Sequence, residues 1–108
     1  MKKYAIKAEE IKDLITPIGG CYATDHIVVD AKEVKYMYRE EPDFEHDSGW
    51  RFFSGEETQE YVDNADNSAI YQVNTIVNYD SDIIPYLATP APCEFEKVSG
   101  TIKYQKIN

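Results

Sequence analysis

The sequence predicts an α+β fold: a single small domain with a mostly antiparallel sheet and a few short helices. Three observations predict it. The chain has 108 residues, 43% of them hydrophobic, which suits one domain with one core and is too short for two. Short β-prone stretches alternate their side chains with period two. Short helical stretches lie between them, without the regular strand–helix–strand succession of a parallel sheet. No internal repeat or low-complexity segment breaks the pattern.

The elements follow in order. Ala8 to Ile15 reads as an N-terminal helix, because Ile11, Leu14 and Ile15 share one helical face and Glu9 and Glu10 suit a first turn. Thr16-Pro17 and Gly19-Gly20 stop it. Cys21 to Thr24 and Ile27 to Val29 are β-prone on either side of Asp25-His26. Val34 to Arg39 alternates, with Val34, Tyr36 and Tyr38 on one face and Lys35, Met37 and Arg39 on the other. Glu40 to Asp47 is an acidic loop, and Gly49 to Phe53 is the next strand. There Trp50 and Phe52 share a face opposite Arg51 and Phe53. If these two strands pair, the loop between them exceeds the usual two to five residues of a hairpin, and long loops on rigid strands often carry binding residues.

Ser54-Gly55-Glu56-Glu57 fits a capping box, with a short helix through about Val62. Asp63 to Ser68 is an Asp/Asn-rich turn. Val73, Ile76 and Val77 have helical spacing, and Asp80-Ser81-Asp82 would cap a further short helix with Pro85 at its start. Cys93 to Val98 and Thr101 to Lys106 are the last strands, joined by Ser99-Gly100.

The net charge is −9, and it is concentrated. Residues 1–39 sum to +1 and residues 67–108 to −1, whereas 40–66 hold ten acids and one base, Arg51. Such a field repels nucleic acid and anionic lipid and attracts a basic protein partner. A solvated face that keeps the protein soluble is the other reading of the same charges. No apolar run reaches the roughly 18 residues that span a bilayer, so no membrane association is expected. The basic start, Met1-Lys2-Lys3-Tyr4, leads into no apolar stretch, so no secretory signal is expected. Two cysteines cannot build a disulfide framework, and the cytoplasm is the expected compartment.

No catalytic motif stands out. Glu40, Glu41, Glu45 and Asp47 lie near His46, but an exposed loop offers little burial to tune a carboxyl for acid–base work. Glu45-His46-Asp47 lacks metal-ligand spacing, and Asp63 to Asn67 departs from a calcium loop at Ala65 and has no loop glycine. No metal and no cofactor is expected. Cys21 and Cys93 have no neighbouring base in sequence and read as buried thiols. Arg39 and Arg51 read as sharing one face of two paired strands, with Asp47 and Glu57 near Arg51. Two readings stay open: ion pairs tying the acidic loop to the sheet, or a preorganised polar patch with Trp50 or Phe53 as aromatic anchor. Trp50 as a core residue is also open.

Several stretches are those of a known family: Tyr36 to Pro42, Asp47 to Glu57, Asp63-Asn64 with Asp66-Asn67, Ile70-Tyr71, Val73 to Ile76 and Asp82 to Leu87, with Gly19-Gly20-Cys21 before them. The chain resembles domain of unknown function 2185, the immunity protein 33-like domain, from about residue 19 to 98. The helix at 8–15 and the strand at 101–106 fall outside that resemblance. It implies a bacterial, cytoplasmic protein that binds and blocks a cognate toxin domain of a polymorphic toxin system. It carries over no catalytic residue.

The expected function is therefore non-enzymatic: an immunity protein that occludes a toxin with an acidic surface. The expected partner-binding residues are Arg39, Glu40, Glu41, Asp43, Glu45, Asp47, Trp50, Arg51, Phe53 and Glu57. The alternative is a small-molecule-binding or hydrolytic domain with a pocket around Arg39, Asp47 and Arg51. Pairing of tyrosine-rich strands across a two-fold axis would give a homodimer.

Overall fold

The computed structural model describes residues 2–107. Its strands are β1 (Gly20–Thr24), β2 (Tyr36–Arg39), β3 (Asp47–Phe53), β4 (Ser68–Gln72), β5 (Cys93–Lys97) and β6 (Tyr104–Lys106). They form one sheet in the order β4-β1-β3-β2-β5-β6. Every neighbouring pair is antiparallel except β1 and β3, which run parallel. The α+β architecture with a mostly antiparallel sheet is thus the observed one.

Alternation along the strands divides the sheet into two faces. Cys21, Ala23, Met37, Trp50, Phe52 and Phe95 face the core. Over them pack α1 (Asp25–Val28), α3 (Val73–Tyr79) and a 3₁₀ helix (Ser81–Tyr86), whose Ile27, Val28, Val73, Ile76, Val77 and Ile83 are fully buried. The spacing of Val73, Ile76 and Val77 therefore marks a real helix face. Lys97 ends β5 on the core side and donates from Nζ to Asp80 (2.9 Å), Glu33 (2.9 Å) and Asp82 (3.2 Å). These charge-assisted bonds tie the helical layer to the sheet. The other face carries Tyr22, Tyr36, Tyr38, Arg51 and Phe53, with α2 (Gln59–Asp63) at its margin.

The structure corrects several expected elements. The helix expected over Ala8–Ile15 is a single 3₁₀ turn, Ala8–Glu10. Beyond it the backbone donors have tertiary partners in place of the i−4 carbonyls a helix needs: Lys12 N–H meets Asn78 Oδ1 at 3.0 Å and Leu14 N–H meets Asn74 Oδ1 at 2.8 Å. Ile27 to Val29 form no strand, because Asp25–Val28 coils into α1, closed by Val29 N–H to the Asp25 carbonyl at 2.9 Å. The helix after Ser54 starts later than expected, at Gln59, capped by Thr58 Oγ1. The Glu57 carboxylate does accept the Ser54 N–H at 2.8 Å, so half of the capping box closes a loop and not a helix. Pro85 lies late in its 3₁₀ helix, not at its start. β6 is shorter than expected, because Thr101 N–H closes the turn onto the Val98 carbonyl at 3.0 Å. β4 was not among the expected strands: its residues, Ser-Ala-Ile-Tyr-Gln, are mixed in polarity and form an edge.

Candidate functional site

The site is built by β2 and β3. Their register sets Tyr38 opposite Arg51 and Arg39 opposite Trp50. Directly opposed residues share a face of the sheet. Arg39 therefore lies on the core side with Trp50, and Arg51 lies on the open side with Tyr38. The expectation that the two arginines share a face is overturned, and so is the pocket expected around Arg39, Asp47 and Arg51. Alternation holds within Tyr36–Arg39 and Trp50–Phe53, but Val34, expected on the face of Tyr36 and Tyr38, precedes β2 and is buried in the core. The register across a long loop is not written in either strand.

Arg39 serves the fold. Its guanidinium carbon is 5.6 Å from the centroid of the Trp50 ring. Nε donates to the Ser48 carbonyl at 2.9 Å and Nη1 to the Thr89 carbonyl at 2.8 Å, fastening the 87–89 segment to the sheet. Trp50 is fully buried, against Phe52 and Phe95. It is a core residue and presents no surface to a partner, so only Phe53 of the two expected anchors is available. Phe53 is half-buried on the open face, stacked on Tyr38 at 5.9 Å between centroids.

Arg51 is 3% exposed and fully paired. Nη1 and Nη2 donate to the two oxygens of Asp47 at 3.0 and 2.7 Å, and Nε donates to Glu40 Oε2 at 2.7 Å. The guanidinium carbon is 4.7 Å from the centroid of the Tyr22 ring. Asp47 also accepts the Asp43 N–H at 2.7 Å and the Gly49 N–H at 2.8 Å. Burial by itself would raise the Asp47 pKa, but the Arg51 bonds and the two amide donors outweigh it and hold it at about 2. Of the two readings of this arginine, the ion-pair network tying the acidic loop to the sheet is the one the geometry contains.

The remaining expected residues divide by exposure. Glu40, Glu41, Asp43 and Glu45 are exposed on the loop. Glu57 is half-buried and accepts Ser54 N–H, Gly55 N–H (3.0 Å) and Thr24 Oγ1–H (2.5 Å). Burial works against its ionised form, yet these bonds win and its pKa is lowered. His26 Nδ1 is 2.9 Å from Ser54 Oγ and 3.6 Å from Glu57 Oε2. This resembles a Ser–His–carboxylate set, but Ser54 is 1% exposed and its Oγ already accepts the Glu56 N–H. The cluster fixes the 54–57 loop. Cys21 and Cys93 are free and buried, and burial raises both thiol pKa values, so neither is a ready nucleophile.

Against the open face lies a concavity of about 250 Å³, lined among others by Tyr22, Tyr38, Glu40, Arg51, Phe53 and Tyr61. Sequence reasoning did not assign Tyr22, Tyr38 or Tyr61 to a site. The alternation at Tyr36 and Tyr38 was the available signal, but it does not say which face stays uncovered. Among the described residues no helix is long and apolar enough to cross a membrane.

The family model of the immunity protein Imm33 domain matches residues 21–108. The match takes in the C-terminal strand that the sequence resemblance left outside, and begins just after Gly20. No curated protein and no solved structure matches the chain. The chain belongs to the Imm33 immunity protein domain family.

Proposed function

We propose that this immunity-family protein neutralises a toxin without catalysis, in the cytoplasm, by covering a basic surface of the toxin with its open sheet face and acidic rim. One observation carries the reading. The segment 40–66 holds ten acids and a single base. That base, Arg51, is buried and paired, whereas eight of the ten carboxylates are exposed. The carboxylates that the segment turns outward are thus not offset by an exposed arginine or lysine of its own. Such a surface steers and holds a cationic protein and repels nucleic acid and anionic membranes. The molecule measures 35 × 33 × 31 Å, so one side suffices for the roughly 800 Å² that a specific interface takes from each partner.

The hydrolytic alternative has no comparable support, because Arg39 lies across the sheet from Asp47 and Arg51 and the latter two are committed to each other. The test is the triple variant Glu41→Lys, Asp43→Lys and Glu45→Lys, which leaves the Arg51 pairs intact. Binding to a basic protein captured by the wild-type chain is expected to weaken at least about tenfold and to lose much of its salt dependence. Unchanged affinity would refute occlusion by charge.

A further inference from the structure

The concavity on the open face has a chemistry more specific than negative charge. Its walls are aromatic: Tyr22, Tyr38, Phe53 and Tyr61 line it, and the Tyr38 and Phe53 rings are stacked nearly parallel, with 13° between their planes. At its lip, Glu40 bonds Arg51 through Oε2 while its side chain stays 49% exposed. The only other charged residue of the lining is Arg51, among the described residues. Taken with Asp47, the group Arg51–Asp47–Glu40 carries one net negative charge.

We propose that this concavity is a receptor for one arginine side chain of the protein partner, an inference that rests on reading the open face as the partner site. Arg51 already displays the chemistry: a guanidinium over a tyrosine ring and forked onto a carboxylate. A second guanidinium laid on the Tyr38–Phe53 wall would meet the exposed part of Glu40, which would then bridge two cations with its two oxygens. A neutral side chain of the same shape gains the stacking and forfeits the charge-assisted bond. A lysine brings the charge but not the planar fork.

The test needs no toxin. The full-length chain, labelled with nitrogen-15, is titrated with N-acetyl-arginine amide and, separately, with N-acetyl-citrulline amide and N-acetyl-lysine amide. Saturable shifts are expected at the amides of Tyr22, Tyr38, Arg51, Phe53 and Tyr61 with the arginine probe. The citrulline and lysine probes are expected to bind at least about fivefold more weakly. Glu40→Gln should weaken the arginine probe by a similar factor. Tyr61→Leu, which touches neither Arg51 nor its carboxylates, should weaken all three probes.

Shifts scattered over the acidic surface would overturn the receptor, as would equal binding of arginine and citrulline. If the receptor fails while the triple lysine variant still loses a captured basic partner, the open-face reading stands and only the arginine pocket falls. If the arginine probe binds as stated while that variant keeps its partner, the receptor stands and occlusion by charge falls.

Discussion

Asp47 and Arg51 grip each other as a two-pronged fork although they are four residues apart on the same strand, β3. In a regular strand that separation is about 13 Å, too far for a bond. The strand is not regular there. Gly20 is paired with Asp47 and Tyr22 with Arg51, so β1 advances two residues while β3 advances four. The excess is a bulge, and Gly49 in the middle of it has φ +89°. The bulge shortens the chain enough to bring the carboxylate under the guanidinium, and with it the acidic loop onto the sheet.

Asp47→Ala leaves a buried guanidinium with half its partners. It should cost about 3–5 kcal/mol of stability, read from urea denaturation. Glu40→Gln, at a half-exposed side chain, should cost about 1 kcal/mol or less. Equal losses at the two positions would contradict the assignment of Asp47 as the buried partner.

Acid should act through the same residue. The folded Asp47 pKa, about 2, lies below its ordinary 3.8. The contribution of a group so depressed is present in full above the unfolded pKa and is lost as pH falls through the folded one. About 2 kcal/mol of stability should therefore vanish between roughly pH 4 and pH 2. Asp47→Asn should remove that part of the pH dependence, measured as the urea midpoint across this range.

The bulge itself is testable at its glycine. A Cβ on Gly49 would stand 2.2 Å from the Glu40 carbonyl oxygen, in addition to the strain of its positive φ. Gly100 also has positive φ, +77°, with nothing within 4 Å of its would-be Cβ. Gly100→Ala should cost about 1–2 kcal/mol from backbone strain alone. Gly49→Ala should cost clearly more, and similar shifts in Tm would argue against the bulge geometry.

Trp50 and Phe53 should separate folding from binding. Trp50→Ala empties a fully buried site and should cost about 3–5 kcal/mol, with affinity for the partner kept in the folded fraction. Phe53→Ala, at a half-buried position of the open face, should cost less stability and weaken binding. Calorimetric titration of both variants, with denaturation curves alongside, distinguishes the two roles.

The fold class was legible in the sequence because it rests on local signals. The alternation of Trp50 to Phe53, the spacing of Val73, Ile76 and Val77, and the Asp80 cap each state their element within a few residues. The N-terminal helix was misread because its apolar spacing is real while its backbone bonds go to Asn74 and Asn78, some sixty residues away. The site was half legible. Charge clustering pointed to residues 40–66, and nearness in sequence offered both Asp47 and Glu57 to Arg51, of which only Asp47 pairs with it. The β2–β3 register, which separates Arg39 from Arg51, depends on the path of the loop and on the bulge at Gly49. Neither leaves a periodic trace in the sequence.

The most direct test of the partner surface is amide hydrogen exchange of the full-length chain, free and bound to a basic protein it captures. The account predicts slowed exchange on β2, β3, the 40–46 loop and α2, with the layer of α1 and α3 unchanged. Protection confined to that helical layer, with the open sheet face exchanging as in the free protein, would contradict it.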